Sequence, residues 1–279
     1  MIANYHTHTF FCDGQAEPVV FVEEAIRQGV GSLGFSAHAP VTFPTDWAIV
    51  PSRISQYHNE ISRLKNEYAE RIDIFCGMEA DFFSDIMPSV QALYDGYTWD
   101  YIIGAIHFIG ADGQLFCIDG PHEHFVEGWR NIMDSDPLFP IQTYFDVTRK
   151  MIREMKCDVI GHIDKIKIQS RPDCIIPYTH PFFRKQLMAT LEEIASTDCI
   201  VEVNTRWIEK EPAKDFFPGR DVFSEMQKMR IPVTVSSDAH KPDEITYGFK
   251  LAETALYQAG YKTVMMIKNG KWEEKPLQQ

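Results

Sequence analysis

Strand-like and helix-like runs alternate along all 279 residues, and the strand-like ones stop at side chains that bind metals. Residues 2–4 lead to His6-Thr7-His8, 32–35 to His38, and 72–76 to Glu79. Residues 101–106 lead to His107, 158–161 to His162, and 232–236 to Asp238-Ala239-His240; only the run 199–203 ends otherwise, at Asn204. Helical spacing fills the gaps. Pro18 opens a helix closed by Gly29, Ser52 is expected to cap a second that runs to Tyr68, and others span 84–94, 142–155, 181–196, 221–229 and 243–259 with Gly260 as a stop. Strict alternation implies a parallel sheet. Chemistry at the end of nearly every strand favours a closed barrel, whose strand ends share one mouth, over an open sheet, whose ligands gather at a switch point. The expected fold is a distorted (β/α)7 TIM-like barrel with a metal site at the C-terminal ends of the strands. Residues 1–279 are read as one domain.

Two segments depart from the alternation. Residues 262–275 read as a hairpin turned by Asn269-Gly270. A long insertion spans about 108–140, where Asp112-Gly113 is expected to turn a small hairpin with arms 108–111 and 114–118. Loops of that length on an active face usually act as lids or specificity elements. The pair His122 and His124 lies there, and a lid contact with substrate is its functional reading.

Alone, each motif has a plain explanation. An H-x-H pair is common, a histidine beside apolar strand residues is usually a hydrogen-bonded core residue, and Asp13-Gly14 reads as a turn. Their repetition at successive strand mouths overrides that. On a strand, residues i and i+2 face one side, so His6 and His8 reach one ion and Asp238 and His240 repeat the geometry. A carboxylate at Glu79 can bridge two ions. The nine side chains His6, His8, Asp13, His38, Glu79, His107, His162, Asp238 and His240 suffice for about three divalent ions at roughly four contacts each. Such a cluster makes hydroxide near neutral pH and grips phosphate oxygens. His58 and His180 are read as structural.

A net charge of −13 argues against a nucleic-acid groove and opposes a phosphate substrate unless bound cations reverse the local sign. No apolar run is long enough to span a membrane and no secretory signal is visible, so a cytoplasmic location is expected. Six cysteines without a C-x-x-C pair read as reduced thiols.

These motifs together resemble the PHP (polymerase and histidinol phosphatase) superfamily, in its monofunctional histidinol-phosphatase branch. The resemblance is carried by His6-Thr7-His8 with Phe11-Cys12-Asp13-Gly14, Gly34 to Pro40, Gly104 to Phe108, Gly161 to Lys167, Glu202 to Thr205, and Ser237 to His240. It implies hydrolysis of L-histidinol phosphate, a step of histidine biosynthesis, by a metal-bridging hydroxide. It also implies three transition metals (zinc, iron or manganese). His6, His8, Glu79 and Asp238 would hold the first, Glu79 with His107 and His162 the second, and Asp13, His38 and His240 the third. Glu79, Asp238 and His240 would stand at the reacting centre, with Lys167 and Arg206 as phosphate-binding cations. Ala37 replaces an aspartate usual in the branch, which implies altered affinity at the third metal. The implied partner is a small phosphomonoester, with no nucleic acid and no membrane; nothing fixes the oligomeric state. Competing readings are another small phosphomonoester or nucleotide, an amidohydrolase, and a non-catalytic metal-binding barrel. The bridging Glu79 and the added His240 favour the phosphoesterase over the amidohydrolase.

Overall fold

The computed structural model describes residues 2–277 apart from 85, 134, 171–174 and 210–214, so Cys174 and the expected helix residue Asp85 lie outside the described residues. Seven parallel strands form one sheet: β1 (Ile2–Asn4), β2 (Val30–His38), β3 (Asp73–Asp81), β4 (Tyr101–Ala105), β7 (Val159–Ile160), β8 (Ile200–Asn204) and β9 (Val233–Ser236), ordered as written. The insertion supplies β5 (Phe108–Ala111) and β6 (Gln114–Cys117), and a second antiparallel hairpin is β10 (Thr263–Lys268) with β11 (Lys271–Pro276). First and last barrel strands meet at the mouth through the bridge between Thr7 and Ala239, where the His8 amide donates to the Ala239 carbonyl at 2.8 Å. The barrel is thus nearly closed, as the alternation implied.

The helices are α1 (Pro18–Arg27), α2 (Ile54–Glu67), α3 (Met87–Gln91), α4 (His122–Ile132), α5 (Phe139–Glu154), α6 (Pro181–Ile194), α7 (Phe223–Lys228) and α8 (Phe249–Gln258). Ile54, Tyr57, Ile61 and Leu64 share the buried face of α2, which is the helical period read from sequence. Both hairpins turn where Asp-Gly and Asn-Gly stand, with positive φ at Asp112, Gly113, Asn269 and Gly270, as a two-residue type I′ turn requires.

Four details differ from expectation. Ser52 does not cap α2, because Pro51 starts a short 3₁₀ turn (Pro51–Arg53) ahead of it. The helix expected over 243–259 is broken at Gly248, whose φ of 72° only glycine takes without strain. The helix expected over 221–229 opens as a 3₁₀ turn, Arg220–Val222. Finally, the insertion carries α4, so His122 and His124 lie on a helix, where positions two apart do not share a face.

Tyr101 fills the barrel interior below the mouth. A side chain at Gly34 would meet its hydroxyl and one at Gly77 its ring, each at 2.4 Å, so these two strand glycines make room for it. Among the described residues no helix is long and apolar enough to cross a membrane.

Candidate metal centre

Strand ends deliver the cluster. His6 and His8 leave β1, His38 closes β2, Glu79 lies within β3, His107 follows β4, His162 follows β7, and Asp238 and His240 follow β9. Asp13 enters from the loop before α1. All nine expected ligands come together around Glu79 and Asp13. Glu79 Oε2 lies 3.2 Å from His6 Nε2, 3.4 Å from His8 Nε2 and 2.9 Å from His38 Nδ1. Its Oε1 lies 3.0 Å from His162 Nε2 and 3.7 Å from His107 Nε2. Asp238 Oδ1 stands 3.3 Å from His8 Nε2, and Asp13 Oδ2 stands 3.1 Å from His240 Nε2.

Three donor sets have atoms all within 4.8 Å of one another: His6, His8 and Asp238; His38, Glu79 and His107; and His8, Asp13, His38 and His240. His8 and His38 are therefore shared between sets, which the resemblance did not imply. The donor chemistry fits divalent ions. His6 Nε2, His8 Nε2, His38 Nδ1 and Glu79 Oε2 are buried and lack a hydrogen-bond partner, although they crowd one another. Buried polar groups are otherwise almost always paired, and unpaired lone pairs aimed at one point are what an ion satisfies.

Behind these groups stands a row of carboxylates that sequence reading passed over. Glu202 Oε1 accepts from His6 Nδ1 at 2.5 Å and from the Ser236 hydroxyl, while its Oε2 accepts from the His162 amide at 3.0 Å. Asp81 Oδ1 accepts from His107 Nδ1 at 2.9 Å. Asn204 Nδ2 donates to Glu202 Oε2 at 3.1 Å and lies 3.3 Å from Asp238 Oδ2. Such partners fix ring orientation and raise the basicity of the opposite nitrogen. Glu202 opens a segment that carries the resemblance, with no role read from it, and Asp81 lies past the run 72–76, on the part of β3 that continues to the mouth.

The same crowding sets the charges. Burial opposes the imidazolium at His6 and His107, but Glu202, Glu79 and Asp238 raise the first well above its ordinary value, and Asp81 helps raise the second to about 9. Burial, then the charges of His240 and His38, push His8 down. Against burial, the surrounding histidines hold Glu79 well below the carboxylate range. Two of the expected ligands, His162 and Asp238, take positive φ, 23° and 51°, a region side chains other than glycine rarely occupy. The Glu202 contact to the His162 amide and the Arg206 contact to the Asp238 carbonyl (2.6 Å) hold them there.

A cleft of about 180 Å³ opens onto the cluster, lined by Asp13, His38, Asp119, Lys165, Arg206, Asp238 and His240 with an apolar wall of Ile168, Trp207 and Phe217. Arg206 is therefore at the cleft, its Nη1 2.7 Å from His240 Nδ1. Lys167 is not among the lining residues. Its Nζ is buried against Asp164 (2.8 Å), the Phe216 carbonyl (2.6 Å) and the Phe217 ring. Residues Lys165–Ser170 form a 3₁₀ helix, in which positions three apart eclipse, so Lys167 falls over Asp164 and Lys165 turns to the cleft instead. The Lys165 ammonium is 2.9 Å from Asp119 Oδ2 and 3.0 Å from His107 Nε2. His122 Nδ1 lies 2.9 Å from Gln169 Oε1, which ties α4 to that 3₁₀ helix, and it does not line the cleft. Ala37 is packed in the hydrophobic core, on the face of β2 opposite His38. His180 caps α6, and His58 meets the Thr98 carbonyl, both structural.

The sequence matches the PHP domain family over residues 4–206. A protein of Deinococcus radiodurans named probable histidinol-phosphatase is 27% identical, across 94% of this chain and 95% of its own. The histidinol-phosphatase of Bacillus subtilis is 25% identical, across 88% and 96%. A crystal structure of histidinol phosphate phosphatase from Lactococcus lactis, in complex with zinc, L-histidinol and phosphate, superposes with a TM-score of 0.78 at 21% identity, covering 98% of each chain.

Proposed function

The chain belongs to the PHP domain family, and from that premise we propose a metal-dependent phosphomonoesterase that converts L-histidinol phosphate to L-histidinol and phosphate. The names of the relatives support the substrate. The observation that carries the chemistry is the set of partnerless buried nitrogen and oxygen atoms converging from the strand ends. We read residues 1–279 as one PHP-type barrel unit acting in histidine biosynthesis in the cytoplasm.

In this reading His6, His8, Glu79 and Asp238 hold one ion, Glu79, His107 and His162 a second, and Asp13, His38 and His240 a third. Mixed nitrogen and oxygen donors suit zinc, manganese or iron; the zinc of the Lactococcus lactis complex supports the first. Bound ions would supply a hydroxide nucleophile near neutral pH and neutralise phosphate oxygens. The protein's own groups do the rest. Glu79 turns Oε2 toward His6 and Oε1 toward His162, and Glu202 and Asp81 keep the rings of His6 and His107 turned toward the cluster. Lys165 and Arg206, on the cleft wall, clamp the phosphate; this reassigns the role first read for Lys167. The apolar wall of Trp207 and Phe217, rings tilted 46° with centroids 5.1 Å apart, suits a ring-bearing alcohol and excludes water from it.

Steady-state kinetics on L-histidinol phosphate against a panel of small monoesters, with metal analysis of the purified protein, tests this. Histidinol phosphate should give the highest kcat/KM. Another monoester turned over a hundredfold faster would overturn the substrate, and protein without a transition metal in any active preparation would overturn the mechanism.

A further inference from the structure

The position of one ammonium is unusual for a phosphate clamp. Lys165 Nζ lies 3.0 Å from His107 Nε2 and 2.9 Å from Asp119 Oδ2, and those two atoms are 3.9 Å apart. His107 Nε2 is the nitrogen that faces Glu79, because Nδ1 is taken by Asp81. An ammonium 3.0 Å from that nitrogen and a metal ion bound to it exclude one another, because both are cations aimed at one atom. Donor atoms around a tetrahedral ion with bonds of about 2.0–2.1 Å stand roughly 3.3 Å apart. The separations of His107 Nε2 from Glu79 Oε1 (3.7 Å) and from Asp119 Oδ2 (3.9 Å) are close to that. Asp119 is also well placed to stay. It comes from the insertion, where the Ile118 amide donates to the His107 carbonyl (2.8 Å) and Gln169 Nε2 donates to the Ile118 carbonyl (2.6 Å).

We infer that Lys165 is a resident stand-in for the ion held by Glu79, His107 and His162, that binding of this ion drives its ammonium into the cleft, and that Asp119 then becomes a further ligand of the ion. The inference rests on the metal-dependent reading above. It links loading to clamping: the cation beside His107 becomes the cation that meets the phosphate once the ion is held.

Titration of metal-free protein with Zn²⁺ or Mn²⁺ against a chromophoric chelator gives stepwise affinities for wild type, Lys165→Met, Asp119→Asn and Arg206→Met. Lys165→Met should tighten one site by about tenfold or more, because a like charge is removed within a few ångströms. Asp119→Asn should weaken the same site about tenfold. Arg206→Met, which removes an equal charge from the same cleft, should shift it less. Unchanged affinity in Lys165→Met, or an equal shift in Arg206→Met, overturns the inference. Reductive methylation read by peptide mass spectrometry needs no variant. Lys165 should be protected in the metal-free protein and labelled after loading with Zn²⁺; equal labelling in both states overturns the inference. Wild type that binds no metal at any concentration overturns the metal-dependent reading as well, whereas normal loading with no Lys165 effect sinks only the stand-in.

Discussion

At the floor of the barrel the rings of Tyr5 and Tyr101 meet edge to face with centroids 5.8 Å apart, and Trp272 of the last hairpin closes on Tyr5 at 5.0 Å. One residue after Tyr5, His6 faces Glu79, Glu202 and Asp238. The floor is built for stability. The Tyr101 hydroxyl reaches the Tyr5 carbonyl at 2.6 Å and the Phe35 carbonyl at 3.1 Å, and the glycines around the ring leave it no slack. The mouth is built for binding, with crowded carboxylates, partnerless lone pairs and strained backbone at His162 and Asp238. Neighbouring residues thus serve opposite ends, and the packed floor carries the cost of a mouth that holds charge in burial.

The comparison breaks if a change at one end behaves like a change at the other. The largest effect is expected at the mouth. His8→Ala or Asp238→Asn should lower turnover by at least about a thousandfold and reduce metal content, with the cooperative thermal transition retained. Full activity would refute the ligand assignment. At the floor, Tyr101→Ala should cost about 3–5 kcal/mol in denaturant unfolding, with metal content per folded molecule unchanged. Lost metal at full stability would show the two ends to be one unit.

A smaller effect sharpens the contrast through pH. In metal-free protein His6, His38 and His107 have raised pKa values, so their contribution to stability is complete below the unfolded value of 6.5 and disappears as pH rises through the folded value. For His107, at about 9, the loss is on the order of 3 kcal/mol between pH 6.5 and 9. On the acid side the depressed His8 and His162, with Glu79 and Asp238, act in the opposite sense, and stability falls as pH drops. Urea melts of metal-free protein at pH 6.5 and 9 measure it. Metal-loaded protein should lose far less over that window, and equal losses in both forms would remove the charge argument.

The barrel and the convergence of nine polar side chains were legible because both follow from period: alternating runs name the strands, and polar groups at their ends must share a mouth. What escaped depends on angle and on distant partners. Lys165 and Lys167 look equivalent in sequence, and only the 3₁₀ turn separates the one on the cleft from the one buried on Asp164. Asp81 and Asp119 stand in no motif, and Glu202 stands in one without a role read from it; each matters through a histidine or lysine more than 20 residues away. The helix in the insertion was missed because its turn-forming Asp and Pro neighbours masked an amphipathic stretch whose buried residues include Phe125.

The Tyr5 hydroxyl accepts from the Ile267 amide at 2.8 Å, across almost the entire length of the chain. The ribosome makes residue 5 early and residue 267 late. Sealing beneath the first two histidines therefore waits until that distant stretch has emerged, and a nascent polypeptide stalled before it would present His6 and His8 on an unfastened edge. Synthesis order therefore places this fastening late, after every strand that carries a histidine of the mouth has been made.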